Sequence, residues 1–296
     1  MMLIKKIGGD SKREEIPKEE RPSRLYHYCS VDSFKNIIES KQIWLCDSRS
    51  LNDYRENTWI LNHIRNVQKE LESDWSTLKP VLDNFDLNSP IPFISAFSIN
   101  GDLLSQWRAY AADGQGVAMG IDPSALGIPF ALPMTSDQSE LTIGISPVVY
   151  DQDFQRQVVY DTLVNAIELL KSAEREPGNI HIGAAIHLRQ MAFVFKNDAF
   201  KEECEWRIIH TPFVLEKKEN GLTQVLGGNS PIHFRTRGSI LIPYFTHSLV
   251  RENESHTLVE VVLGPKCPVD PLTMKIFLSN TGFPRVEVTS SNASYR

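Results

Sequence analysis

Hydrophobic and polar residues recur along most of the chain with the spacings of short strands and amphipathic helices. The first predicted strand covers residues 24–28, and Ser30 is a suitable N-cap for the helix that follows it. Further helices are predicted from three- and four-residue apolar spacing at 59–71, 75–82, 103–112, 153–172, 180–195 and 271–280. Alternating or continuous apolar runs predict strands at 43–45, 92–99, 117–121, 205–214, 231–235, 239–244, 258–263 and 284–289.

This order of elements predicts one α+β domain over residues 24–296, because no segment has the composition of a linker. The two helices at about 153–195 form a helical insertion between strands. Residues 123–147 are rich in Pro and Ser and are expected to be irregular. Residues 1–23 are dense in Lys, Arg and Glu, which predicts a flexible charged tail or an arm that becomes ordered on a partner.

Charge and cysteine usage narrow the class of protein. A net charge of −6 argues against binding nucleic acid mainly by neutralising phosphates, although a local basic groove stays open. The 4 cysteines form no CxxC pair, and no HExxH, GxSxG or P-loop motif is present, so no metal ion is expected. No apolar run has the length of a signal-peptide core or of a bilayer span. We therefore expect a cytoplasmic protein without membrane association.

The strongest candidate chemistry lies in the acidic run at residues 202–207. Side chains alternate on a strand, so Glu203, Glu205 and Arg207 share one face. An arginine beside a carboxylate favours the ionised carboxylate. The alternative is a solvated ion pair that contributes roughly 0–1 kcal/mol.

Two further segments carry candidate ligand-binding groups. His27 lies between Tyr26 and Tyr28, which places a hydrogen-bonding imidazole beside flat aromatic surface suited to a ribose and a heteroaromatic ring. A half-buried strand with a satisfied histidine is the alternative. The guanidinium of Arg49 would suit a pyrophosphate, and Asn52 follows it either as a ligand-binding residue or as a helix cap.

The end of the predicted central strand is a third candidate region. Ser98 lies at this end, where site residues often occur. Trp107 and Tyr110 are three residues apart on the following helix, so they lie on one face. For these two aromatic residues the alternative is ordinary core packing.

Several segments together resemble the bacterial family called domain of unknown function 2971. They span residues 24 to about 266 in the family's order: LYHYCSVDSFKNIIESKQIWL, SRSLNDYRE, AFSINGDLLSQWRAYAADGQGVAMGI, KEECEWRII and LVEVVLGP. The chain departs from the family at Cys29, where Thr is more usual, and at Gln106, where Met often precedes Trp107.

The opening segment is also similar to the first motif of ADP-ribosyltransferase-like folds, in which a late strand supplies a glutamate. This resemblance implies an α+β core with a mixed or antiparallel sheet, and NAD as substrate. His27 would then hydrogen-bond a ribose, Tyr28 or Tyr110 would stack on nicotinamide, and Glu205 would hold the ribose 2′-hydroxyl. The remaining implied roles are pyrophosphate binding by Arg49, cofactor support by Ser98, and orientation of Glu205 by Arg207.

The resemblance favours NAD-dependent ADP-ribosyl transfer to a nucleic acid or protein, as in a toxin or anti-phage effector that has an inhibitor or antitoxin partner. NAD hydrolysis and a non-catalytic module that binds a nucleotide or a partner are the alternatives. The transferase hypothesis requires His27 and Glu205 to face one cleft. It also expects a groove to that cleft, lined by residues such as Arg235 and Arg237.

Overall fold

The computed structural model describes residues 13, 15–50, 56–85, 91–172, 176–217, 222–250 and 257–295. Part of the predicted charged tail is packed against the rest of the chain. Ile16 is buried, and its amide donates a hydrogen bond of 2.7 Å to the Phe130 carbonyl. The Arg21 guanidinium lies 4.8 Å from the centre of the Phe130 ring. The prediction of a flexible tail up to residue 23 is therefore wrong for residues 15–23, because an apolar residue anchors this segment.

Twelve strands and seven α-helices make up the described chain. The strands are Leu25–Cys29 (β1), Gln42–Asp47 (β2), Phe93–Ser98 (β3), Val117–Ile121 (β4), Ile143–Pro147 (β5), Glu205–His210 (β6), Phe213–Lys217 (β7), Leu222–Leu226 (β8), His233–Arg237 (β9), Ile240–Ser248 (β10), Leu258–Leu263 (β11) and Glu287–Ser290 (β12). The helices are Val31–Ser40 (α1), Glu56–Glu70 (α2), Trp75–Asp83 (α3), Leu104–Tyr110 (α4), Gln152–Ser172 (α5), Pro177–Ala192 (α6) and Pro271–Asn280 (α7).

Ten of the strands form one open, mostly antiparallel sheet. Its main path runs β12-β11-β4-β1-β3-β2-β10-β9, and β6 with β5 branches from β3. The pairing of β11 with β12 is parallel, whereas β7 and β8 form a separate hairpin. The chain is thus of the α+β class, as the sequence pattern predicts.

Helices cover both faces of the sheet. Helices α2, α3, α5 and α6 pack over the branch of β3 and β6, in a hydrophobic cluster that includes Ile94 and Ile209. On the opposite face, α1 and α7 contribute to a second cluster around Phe97, Trp206 and Phe245. Helix α4 makes a smaller cluster over β1 and β4 on the first face. The middle of the sheet is therefore enclosed, and an exposed residue there requires an explanation.

Three elements differ from the sequence prediction, and one of them, β8, was not predicted. Strand β5 lies inside the segment expected to be irregular, where Gly144 permits close approach: a Cβ there would lie 2.0 Å from the Ala131 carbonyl oxygen. The strand predicted at 205–214 is divided into β6 and β7 around Pro212. Proline has no backbone N–H, so it cannot continue the ladder of β6.

Gly116 is expected to be intolerant of any side chain. A Cβ on Gly116 would lie 2.1 Å from the Cys29 carbonyl oxygen in β1, and backbone atoms cannot move aside independently. We expect Gly116→Ala to lower the free energy of unfolding by about 3 kcal/mol, measured by urea denaturation. Gly178→Ala is the control, because no atom lies within 4 Å of its added Cβ and it is in α6. Equal stability of the two variants would contradict this packing.

Candidate functional site

Strand β3 has a gap in the pairing along one of its edges. Its other edge pairs with β6 along its whole length, from Phe93 to Ser98. On the gapped edge, β2 pairs only with Phe93 and Ile94, and β1 only with Ser98. Between them Ala96 is exposed, although both of its chain neighbours are buried. We call this gap, centred on Ala96, the notch.

His27 spans the notch from β1. Its Nδ1 lies 2.9 Å from the Ala96 carbonyl oxygen, which can only accept, so Nδ1 carries the proton and donates. Burial lowers the pKa of His27, and the hydrogen bond to Ala96 offsets this only in part. The imidazole is therefore neutral at pH 7, and Nε2 remains an acceptor. His27 supplies the partner that the Ala96 carbonyl lacks where β1 and β2 diverge.

Glu205 and Arg207 form a buried ion pair on β6. Arg207 donates from Nε to Oε1 of Glu205 at 2.7 Å and from Nη2 to Oε2 at 3.0 Å. Both residues are buried, so the alternative of a solvated surface pair is wrong. Nη1 of Arg207 also donates to the Phe193 carbonyl at 2.9 Å. Arg207 thus fixes the position of the Glu205 carboxylate, as the predicted orienting role requires.

Three more side chains belong to this cluster, and two of them, Lys196 and Tyr150, were missed in the sequence. Lys196 donates to Oε2 of Glu205 at 3.0 Å and to Oε2 of Glu203 at 2.6 Å. The Tyr150 hydroxyl accepts from the Glu205 amide at 3.0 Å. Glu203 is in the acidic run that drew attention to Glu205, whereas no local pattern marks Lys196 or Tyr150. The cluster joins two carboxylates to two cations and is neutral overall.

The arrangement keeps Glu205 ionised. Burial raises the pKa of its carboxyl group, but the charges and hydrogen bonds of Arg207 and Lys196 outweigh burial and hold this pKa below its usual value. Burial raises the pKa of Tyr150, and the neighbouring carboxylates raise it further. Tyr150 therefore stays protonated beside an anionic Glu205.

Tyr110 is the exposed member of the site. Its hydroxyl donates to Oε1 of Glu203 at 3.1 Å, and 39% of the residue is accessible to solvent. Burial of the hydroxyl and the negative charge of Glu203 raise its pKa. The tyrosine thus offers both a ring surface and a fixed hydroxyl next to a carboxylate.

Cys204 connects the two glutamates in a strained conformation. Its φ of 44° lies in the left-handed region, which costs a residue other than glycine about 1 kcal/mol or more. The turn ends the 3-10 segment Asp198–Glu203 and starts β6. Lys196 then contacts the carboxylates on both sides of Cys204.

Ser98 and Tyr28 are buried. Ser98 Oγ donates to the Glu203 carbonyl at 2.8 Å and accepts from the Asn100 amide at 3.1 Å. The Tyr28 hydroxyl donates to the Asn100 carbonyl at 2.7 Å and accepts from the Leu103 amide at 3.0 Å, while its ring packs edge-on against Trp107. Tyr28 is therefore a packing residue here, and of the two stacking candidates Tyr110 is the accessible one.

The structure describes the surroundings of Arg49 but not those of Asn52. Arg49 lies in the 3-10 segment Ser48–Ser50 after β2. Its side chain is 55% exposed, and Nη2 lies 2.7 Å from Oδ2 of Asp47. Binding an anion through Arg49 would compete with this ion pair. Asn52 lies outside the described residues, so both of its predicted roles stay predictions.

His27 and Glu205 do not project from the same face of the sheet. Tyr26 and Glu205 both pair with Ser98, so these three residues share a face. His27 is one residue further along β1 and projects to the opposite face, where its ring lies 5.6 Å from that of Phe97. The predicted cleft with imidazole and carboxylate on either side of one sugar is thus wrong. His27 and Glu205 are connected through Ala96. The Ala96 carbonyl accepts a hydrogen bond from His27, and Ala96 pairs on β6 with Arg207, which binds Glu205.

Removing the cation from the buried pair is expected to destabilise the fold strongly. Arg207→Met leaves Glu205 with only Lys196 as a countercharge, and we expect the free energy of unfolding to fall by about 3–5 kcal/mol in urea denaturation. The control is Lys35→Met, since Lys35 pairs with Glu39 on the exposed face of α1. That change should cost under about 1 kcal/mol. Similar losses in the two variants would contradict a buried ion cluster.

The same pair predicts a dependence of stability on acid. A carboxyl whose pKa is lowered by folding contributes stability above its unfolded pKa, which is near 4.5, and this is lost as pH falls through the folded pKa. Unfolding free energies of the wild type should therefore fall more steeply below pH 4.5 than those of Glu205→Gln. Parallel curves in chemical denaturation between about pH 3 and 6 would show that Glu205 is not linked to folding.

Two absences hold for the described part of the chain. No group of three His, Cys, Asp or Glu side chains is arranged to hold a metal ion in it. None of the helices described combines the length and apolar character needed to cross a bilayer.

Residues 106–208 match the model of one protein family, described as "Protein of unknown function (DUF2971)". No curated protein and no solved structure matches the chain. The matched segment runs from α4 to β6, so it includes Trp107, Tyr110, Lys196 and the two glutamates of the site. Over residues 106–208 this match confirms the resemblance to the domain of unknown function 2971 family that the sequence motifs indicate.

Proposed function

We propose that the chain is an NAD-dependent ADP-ribosyltransferase whose substrate binds at the notch, with a macromolecule as acceptor. The observation that carries the proposal is the exposed Ala96 in the central strand of the sheet. His27 of β1 donates to the Ala96 carbonyl, and Arg207, which pairs with Ala96 on β6, holds the Glu205 carboxylate. The succession of β1, α1 and β2, with Glu205 on a late strand, agrees with an ADP-ribosyltransferase-like fold.

The chemistry needs a carboxylate beside the sugar. When the glycosidic bond of NAD breaks, nicotinamide leaves with the bonding electron pair and positive charge develops on the ribose. The acceptor then forms a bond to the anomeric carbon and releases a proton. A carboxylate already held in place stabilises this charge without reorganisation. Glu203 and Glu205, joined by Lys196, are the fixed carboxylates of the proposed site.

The other side chains have supporting roles in this proposal. Tyr110 offers an exposed ring on which nicotinamide can stack, and its hydroxyl holds Glu203. Neutral His27 projects from the opposite face of the sheet, so its role is to hold the Ala96 carbonyl and shape the notch, without contact to the ribose. Arg49 is the candidate for the pyrophosphate, and Ser98 fixes the backbone at the end of β3.

One observation favours a second candidate, a non-catalytic module that binds a nucleotide. Both oxygens of Glu205 are occupied, Oε1 by Arg207 and Oε2 by Arg207 and Lys196. In a purely structural cluster this is the expected arrangement. Binding of NAD without turnover distinguishes this candidate from the enzyme.

The test is nicotinamide release from NAD by the wild type and by two groups of variants. Glu203→Gln and Glu205→Gln each remove one of these two carboxylates, and each should lower the release rate by about 10²–10³. Ala96→Leu fills the notch without changing charge and should abolish release. Its control, Asn36→Leu, adds the same side chain on the exposed face of α1 and should retain full activity.

Four outcomes contradict the proposal in different ways. Binding of NAD without release, measured by calorimetry, indicates the non-catalytic module. Release without a labelled macromolecule indicates hydrolysis, with water as the acceptor. Full activity of both glutamine variants removes the proposed mechanism. No binding of NAD at all removes NAD as the substrate.

A further inference from the structure

A second surface lies next to the notch, on the same face of the sheet. We call Trp44, His233, Arg235, Arg237 and Tyr244 the aromatic–arginine face. Tyr244 pairs with His233 on one side and with Cys46 on the other, so all three project to one face. Trp44 lies two residues from Cys46, and the two arginines lie two and four residues from His233. Alternation therefore brings every member to that face.

Three of these side chains form a row of stacked rings across the strands. The Trp44 and Tyr244 rings have centroids 4.5 Å apart and an interplanar angle of 28°. The His233 and Tyr244 rings have centroids 5.4 Å apart and an angle of 27°. His233 is exposed, and it forms the outer end of the row on the edge strand β9.

The rings do not belong to the interior of the protein. Of the three hydrophobic clusters formed by the described residues, none includes Trp44 or Tyr244. The opposite side of β2 and β10 supplies the core instead, through Ile43, Leu45 and Phe245. Core packing therefore does not account for aromatic residues at these positions.

Two arginines flank the row, and no carboxylate of the described residues is bonded to either of them. Among the described residues, the hydrogen-bond partners of Arg235 and Arg237 are the Cys46 sulfur at 3.6 Å and the Ser50 carbonyl at 3.1 Å. Nε of Arg235 is buried and has no hydrogen-bond partner in that part of the chain. The Arg235 guanidinium lies 5.8 Å from the centre of the Trp44 ring. The two arginines thus have donors left for an anionic ligand.

The segment that forms most of this face differs in charge from the rest of the chain. Residues 227–250 contain no Asp or Glu, although the whole chain has a net charge of −6. Strands β9 and β10 lie entirely within these residues. The aromatic–arginine face is therefore locally basic on an acidic protein.

We propose that the aromatic–arginine face binds single-stranded nucleic acid. Unpaired bases stack on aromatic rings whatever their sequence, and arginines bind the phosphates between them. A duplex keeps its bases stacked on each other and cannot use the row of rings. An acidic protein segment would pair with the arginines, but its carboxylates would not stack on the aromatic rings.

The location links this surface to the notch. Cys46 of β2 pairs with Ile94, which lies two residues, about 7 Å, from Ala96 along the same face of β3. A strand bound on the aromatic–arginine face would therefore reach the notch. That it is the acceptor for ADP-ribosyl transfer rests on the proposed function, whereas the binding itself does not.

The test is fluorescence anisotropy with a labelled single strand of about 12 nucleotides and mixed sequence, as RNA and as DNA, without NAD. We expect Arg235→Gln with Arg237→Gln to weaken binding about tenfold at about 50 mM salt and to reduce the salt dependence of the affinity. The charge-matched control is Lys275→Gln with Arg285→Gln, both exposed and far from these strands in sequence. His233→Ala removes the exposed ring and should weaken binding about fivefold or more.

Several results would overturn the proposal. These are no binding of either single strand at low salt, equal losses in the arginine pair and its control, and equal affinity for a duplex of the same sequence. Equal affinity for a polyglutamate peptide would assign the face to an acidic protein instead. Because NAD is absent, failure here leaves the proposed transferase chemistry unaffected, and failure of nicotinamide release leaves this binding unaffected.

Discussion

One edge of a strand can carry only one continuous ladder of hydrogen bonds, and β3 has to share its edge between β1 and β2. The two strands pair with opposite ends of β3 and leave its middle without a strand partner. His27 compensates by donating to the Ala96 carbonyl, and Ala96 remains exposed within an otherwise buried strand. Along the other edge of β3, β6 places Arg207 directly beside Ala96 and Glu205 beside Ser98.

The ion cluster at β6 shows how two carboxylates stay ionised in an enclosed part of the protein. Burying a carboxylate is costly unless cations and hydrogen bonds replace its water. Here Arg207 and Lys196 do so for Glu205, and Tyr110 and Lys196 do so for Glu203. Such a cluster contributes less to stability than well-packed apolar residues can, which agrees with the proposed role of a fixed carboxylate beside an accessible notch. The aromatic–arginine face continues from that notch along the same side of the sheet.

Much of the fold could be predicted because its signals are local. The Ser30 cap and the apolar face of α1 were both recognisable, and Ser30 does accept from the Ser33 amide. The pairing of Glu205 with Arg207 followed from strand alternation alone. Lys196 could not be found this way, because its contacts depend on how α6 returns to β6. The relation of His27 to Glu205 depends on register: one residue along β1 decides the face, and no pattern in the sequence fixes which residue pairs with Ser98.

The most direct measurement for this account is the solvent reactivity of the notch itself. In Ala96→Cys, the rate of modification by a small charged thiol reagent can be followed peptide by peptide with mass spectrometry. Cys29, buried in β1, serves as the internal reference for an inaccessible thiol. The account predicts that the thiol at position 96 reacts at the rate of an exposed cysteine, and that NAD slows this reaction. A thiol at position 96 that reacts as slowly as Cys29 would mean that β3 is closed along this edge and that no notch exists.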